Sequence, residues 1–111
     1  MAQDLFKPDT ESFRTLSWIR EGMTVLDREN HKIGKVKYVQ FSDGIDEPSF
    51  ELPEAFRRLP QEVQTNMIRE GFIQIDAGLF ARDRFATPEQ ISGMTDEGLR
   101  LNVREDRLAK A

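Results

Sequence analysis

The chain has 111 residues, 38% hydrophobic and 32% charged, and its 16 basic and 20 acidic side chains leave a formal charge of −4. That length fits one domain, large enough to close a single core without metal or disulfide staples. The acidic balance argues against general binding to nucleic acid or anionic membrane, both of which call for clustered positive charge. The absence of cysteine excludes disulfides, thiol catalysis and Cys-ligated zinc.

Residues 1–12 carry Pro8 and scattered charge without periodicity, and read as a flexible tail ahead of a single domain at 13–111. The opening "MAQDLFKPDTES" has neither the basic start nor the apolar stretch of a signal peptide. Nowhere does the chain approach the run of about 18 apolar residues needed to span a bilayer. A cytoplasmic protein with no membrane span is expected. Phe13, Leu16, Trp18 and Ile19 then bring apolar weight and predict a short turn packed against the body.

Gly22 lets the chain turn into a strand from about Met23 to Asp27, "RENHK" is a charged turn, and "IGKVKYVQF" is a β-branched and aromatic strand. In a regular strand Ile33 and Val36 point to opposite faces, so one extra residue must be absorbed if both are core. Gly34 suits such a bulge, which bends a strand as a small closed barrel requires. The other reading of Gly34 is a place where a second backbone approaches closely.

"SDGIDEPSFE" is a turn-rich acidic loop, followed by the one convincing helical region, an insertion at about 53–71. Pro53 and Pro60 both suit a first helical position, whereas Pro60 inside a continuous helix costs about 3 kcal/mol. Two short helices or a kinked one are therefore predicted, with Gly71 as the stop. Phe56, Leu59, Val63 and Met67 fall on one stripe at about 100° per residue. Such a stripe either packs on the protein's own sheet or forms an interaction surface for a partner or a second copy.

"FIQIDA" reads as a strand with Ile73 and Ile75 on one face and Gln74 and Asp76 on the other. "RDRFATP" is a further strand closed by Pro88. "ISGMTDEGLRLNV" is the clearest hairpin, turning at "TDEG", and "REDRLAKA" adds a terminal helical turn.

Chemistry-bearing patterns are sparse. His31, the single histidine, lies in a charged turn with no serine in a nucleophile-elbow context, and alone it is a poor metal site. Asp43, Asp46, Glu47 and Glu51 cluster, but their spacing does not match a calcium loop, and a solvated acidic loop is the plain reading. No phosphate-binding glycine loop occurs. Lys35 and Lys37 share a strand face and, with Tyr38, could form a small basic and aromatic surface. Equally, they could be edge lysines that discourage strand pairing. No catalytic residue, cofactor site or metal site is assigned, and an enzyme is not expected.

"IREGMTVLDRENHKIGKVKYVQF" and "RDRFATPEQISGMTDEGLRLNVREDRL" together resemble the two signatures of PRC-barrel-like domains, in the expected order and over about half the chain. The first resembles the family's opening hairpin, with Glu29-Asn30-His31 where a turn glycine usually stands. The second resembles its aromatic strand, proline and closing hairpin near "LNV". The insertion is longer than a minimal member needs, and the likeness is greatest to small bacterial stand-alone members of unknown function. The resemblance implies a mainly β fold, a small strongly bent antiparallel β-barrel, and a protein-binding module such as those in the photosynthetic reaction-centre H subunit and a ribosome maturation factor. The expected function is a non-catalytic interaction module with a protein partner, a homo-oligomer being open and nucleic acid not expected. The alternative is a small-ligand binder using the barrel mouth beside the insertion.

Overall fold

The structure is a computed structural model that describes residues 15–41 and 52–111. Seven strands form one sheet: β1 (Thr24–Leu26), β2 (Lys32–Gln40), β3 (Phe72–Asp76), β4 (Arg84–Ala86), β5 (Ile91–Thr95), β6 (Gly98–Leu101) and β7 (Ala109–Lys110). Their order across the sheet is β5-β6-β1-β2-β3-β4-β7, and among the described residues β5 and β7 stand at two unpaired edges, so the ladder does not close on itself. The acidic cluster at 43–51 and the expected tail lie outside the described residues.

Local chemistry accounts for most of the elements. After Leu26, Asp27 turns the chain: its Oδ1 accepts the N–H groups of Glu29 and His31, both at 2.9 Å. Asn30 takes a left-handed φ of 67°, a conformation that Asn tolerates better than most residues. Asn30 thus does the work that a glycine commonly does in such a turn. Pro60 stands at the N-cap of helix α1 (Gln61–Glu70), and Gly71 ends it at φ 86°. A 3-10 turn at Phe56–Arg58 precedes the proline. The insertion is therefore two short helical pieces. Gln64 joins them, its Nε2 donating to the carbonyls of Leu59 (2.8 Å) and Arg57 (3.1 Å).

The sheet separates two apolar clusters. One draws Val25, Ile33, Val36, Ile73, Ile75, Ala86, Leu99 and Leu101 from five strands, closed by Leu16, Ile19 and Leu108. The other packs the insertion on the opposite face: Phe56, Leu59, Met67 and Ile68 against Phe72 and Phe85. Strand β3 is accordingly buried on both sides, and Gln74, on the face that alternation leaves for solvent, is only 2% exposed.

Several expectations are corrected. The sheet is not purely antiparallel, because β1 and β6 pair in parallel, Val25 opposite Leu99. A parallel neighbour needs a long crossover, and here everything from β2 to β5 intervenes. The last residues add strand β7 on β4 as well as a 3-10 turn at Glu105–Arg107. Leu16 and Ile19 enter the core as expected, but Trp18 is 71% exposed. The turn that brings Leu16 and Ile19 inward, with the Ile19 N–H on the Leu16 carbonyl at 3.1 Å, leaves Trp18 on its outer side.

Gly34 follows its second reading. Ile33 and Val36 do share a core, and β2 does carry irregularities of register, but these fall at Ile33 against β1 and at Lys37 against β3. Gly34 itself has no left-handed φ. A Cβ there would stand 2.0 Å from the carbonyl oxygen of Asp76, so the residue is glycine because a backbone lies against it.

The stripe of Phe56, Leu59, Val63 and Met67 is corrected as an interaction surface. Phe56 is fully buried, Leu59 and Met67 are nearly so, and Val63 packs against the same cluster. Phe56, Leu59 and Met67 face the protein's own sheet and are not available to a partner, while Val63 is half-buried beside them.

Candidate functional site

A polar cleft of about 890 Å³ lies between the insertion and the β3–β4 loop. Its floor comes from the sheet. The Gln74 side chain, buried under the insertion, donates from Nε2 to Asp83 Oδ2. Lys37, on the bulge of β2, reaches the same oxygen at 3.5 Å. Asp83 is itself held by its backbone, exchanging two 3.0 Å hydrogen bonds with Ala111 beyond the β4–β7 ladder. With its amide nitrogen committed to Asp83, Gln74 turns Oε1 away. That oxygen is buried without a hydrogen-bond partner among the described residues. An unsatisfied buried acceptor costs about 1–3 kcal/mol, and such groups call for an explanation.

The rim is of two kinds. Glu54 and Arg58 of the insertion lie 3.8 Å apart on one side. On the other side the loop carries Leu79 and Phe80, which are 95% and 102% exposed. Two adjacent large apolar side chains fully in water, beside a cleft, differ from the scattered single hydrophobics that any surface shows.

A smaller apolar groove of about 340 Å³ lies beside edge strand β5, among Trp18, Ile19, Ile91, Met94 and Leu99. Met94 is 47% exposed there.

Of the basic and aromatic residues singled out on β2, Lys37 belongs to the cleft. Lys35 is exposed opposite Asp76. The Tyr38 ring lies 6.0 Å from Phe72, with its hydroxyl donating to Gln40 Oε1 at 2.6 Å. The three do not form one patch. Sequence reasoning missed Gln74, Leu79, Phe80 and Asp83. Its usable signal was the pair of adjacent apolar residues in "AGLFARD", between two strands and outside either alternation.

His31 is a solvated turn residue, with Nδ1 3.7 Å from Asp27 Oδ2 and 3.8 Å from Glu29 Oε1. Asp27, Glu29 and His31 place metal-ligating atoms within 4.8 Å of one another. The Asp27 carboxylate, however, is already engaged in closing the turn. Burial acts to raise its pKa, but the N–H groups of His31, Glu29 and Glu105, with the charge of His31, outweigh burial and hold it below the usual carboxylate range. A group depressed on folding contributes stability that is present above its unfolded pKa and lost as pH falls through its folded pKa. Asp27→Ala is therefore expected to cost about 2 kcal/mol near neutrality, the upper range for a lost side-chain cap. The wild type's advantage over the variant should shrink in thermal melts taken from about pH 4 downward. An undiminished difference at pH 2 would exclude the carboxylate charge as its source.

The second shifted group is Glu70, raised by burial and then by the Glu89 carboxylate, with Arg69 acting against them. Neither Asp27 nor Glu70 lines the cleft.

No helix among the described residues is long and apolar enough to cross a membrane. Searched against protein families, curated proteins and solved structures, the chain matches none.

Proposed function

We propose that this protein is a non-catalytic interaction module, a barrel-like PRC-type domain that engages a partner protein through the β3–β4 loop. The observation that carries the reading is the full exposure of Leu79 and Phe80. Apolar anchors of this kind contribute most of the energy when a partner's pocket desolvates them. The PRC-type assignment is supported by the two sequence signatures and by the way five strands converge on one apolar cluster. The net charge of −4 speaks against nucleic acid as the partner.

The test is quantitative affinity capture from the native cell with the wild type and with a Leu79→Ser/Phe80→Ser double variant. Both side chains are outside the core, so the variant should melt as the wild type does. Partners retained by the wild type should be lost from the variant. An identical set retained by both would remove the loop from the interaction.

The small-ligand reading is favoured by one observation, the unpartnered Gln74 Oε1 at the floor of the cleft beside the insertion. A ligand donor reaching it would satisfy a buried side-chain oxygen that has no bond among the described residues.

A further inference from the structure

The cleft differs in charge from the rest of the molecule. Its side chains include four cations, Lys37, Arg58, Arg82 and Lys110, against two side-chain carboxylates, Glu54 and Asp83, with the main-chain carboxylate of Ala111 in the same lining. Within a chain of net charge −4, this is a local excess of positive side chains. The pairing sharpens it. Lys37 is matched by Asp83 at 3.5 Å and Arg58 by Glu54 at 3.8 Å. Arg82 and Lys110 have no anionic partner among the described residues, and both are exposed. Strand β7 places Lys110 beside β4, opposite Arg84, and the loop leading into β4 carries Arg82. Two unpaired cations therefore come to one cleft from positions 28 residues apart in the sequence.

We infer that the cleft takes an acidic segment of the partner protein, with Arg82 and Lys110 receiving its carboxylates and Leu79 and Phe80 receiving a neighbouring apolar side chain. This rests on the interaction-module reading and names the chemistry of the partner. Three features of the site select an extended peptide. Its acidic side chains complement the unpaired cations, and charge complementarity of this kind sets both specificity and association rate. Its apolar side chain covers Leu79 and Phe80, which a small anion would leave in water. Its backbone N–H groups are donors, and a turn of the amide of the lining residue Gln74 would present Oε1, which is buried without a partner among the described residues, to one of them. An anionic bilayer also offers negative charge and an apolar phase. It presents a broad surface, however, whereas a single extended segment can enter a cleft.

The charge at the cleft is fixed by the fold. Gln74 and Lys37 both converge on Asp83 Oδ2, so Asp83 is neutralised from within and does not repel an incoming carboxylate. Arg82 and Lys110 remain as the cations that a partner can pair.

The experiment is selection of a phage-displayed library of random dodecapeptides on the whole protein, followed by fluorescence anisotropy with the most enriched peptide. The enriched pool should place Asp or Glu within a few positions of Leu, Phe, Met or Trp. Binding should weaken with added salt, as expected for partly exposed ion pairs. It should fall about tenfold in an Arg82→Glu/Lys110→Glu variant, the loss that ~1.4 kcal/mol of coupling represents. Both substitutions are at exposed positions, and an unchanged melting temperature separates lost binding from lost folding.

Neutral or basic enriched peptides, no enrichment at all, or an acidic peptide bound equally by the charge-reversed variant would each overturn the inference. So would displacement of the peptide by equimolar inorganic phosphate, which would assign the cleft to a free anion. Sedimentation with phosphatidylserine vesicles that is lost on charge reversal would assign it to a membrane surface. The two proposals fail separately. If Leu79→Ser/Phe80→Ser loses the native partners while Arg82→Glu/Lys110→Glu keeps them, the module stands and the acidic segment does not.

Discussion

Gly34→Val is expected to destabilise the protein by about 3 kcal/mol or more, at the upper end of what overpacking costs. The cause is a steric conflict between two backbones. A Cβ at this position would stand 2.0 Å from the Asp76 carbonyl oxygen and 2.8 Å from its carbon, where real Cβ contacts essentially never fall below 3.0 Å. The obstacle is main chain at the end of β3, so no rotamer change relieves it. The β2–β3 ladder would have to open by about 1 Å, in the pairing that joins the two halves of the sheet. Gly34→Ala should therefore cost nearly as much as Gly34→Val, since the first added carbon already makes the clash. Since Gly34 has no left-handed φ, the loss is assigned to close approach and not to backbone conformation. Urea melts measure both, and a Gly34→Ala midpoint equal to the wild type would contradict the geometry. Gly98 is constrained in the same way by the Thr24 carbonyl at 2.4 Å, and additionally by a φ of 142°.

Phe56→Ala is the second large effect, at about 4 kcal/mol, in the range for truncating a buried phenylalanine. The ring is wholly buried, stacked on Phe72 at 4.4 Å with planes 4° apart, and set edge-on to Phe85 at 5.8 Å. Phe72 and Phe85 meet edge to face at 6.0 Å, so each ring of the three touches both others. Removing one leaves a cavity and breaks two aromatic contacts, each worth about 0.5–1.5 kcal/mol beyond burial. The prediction also tests how the insertion is used. An insertion that is part of the core loses melting temperature on truncation of Phe56. If it were an interface, melting would be kept and self-association in sedimentation would be lost. The buried ring requires the first outcome.

The order of elements could be read along the chain because each rested on local physics. Alternating Ile73 and Ile75 marked a strand. Pro60 forced a break in the insertion because its ring cannot sit inside a helix, and the helix starts just after it. Gly71 stopped the helix, and "TDEG" made the β5–β6 turn. The apolar stripe of the insertion also appeared in the sequence, but its destination did not. Periodicity reports that a face is apolar and is silent on what covers it, and the sheet face carrying Phe72 and Phe85 decided that matter.

Other features had no local signature. β7 is two residues long, without strand propensity, and exists because β4 offers it an edge. The parallel pairing of β1 with β6 joins residues more than 70 apart, and no spacing rule connects them. Gln74 alternates as a solvent-facing residue would, and becomes buried because the insertion covers its side of the sheet. The cleft is assembled from β2, the insertion, β3, the β3–β4 loop and β7. Its unpaired cations, Arg82 and Lys110, are ordinary surface residues until those five segments meet. The sequence by itself therefore determined most of the elements, their order and the proline and glycine that bound the helix, because φ preferences and side-chain alternation act within a few residues. Only the tertiary structure decided which faces are covered, which charges remain unpaired and where the apolar tip of Leu79 and Phe80 stands, because those depend on contacts between segments far apart in the chain.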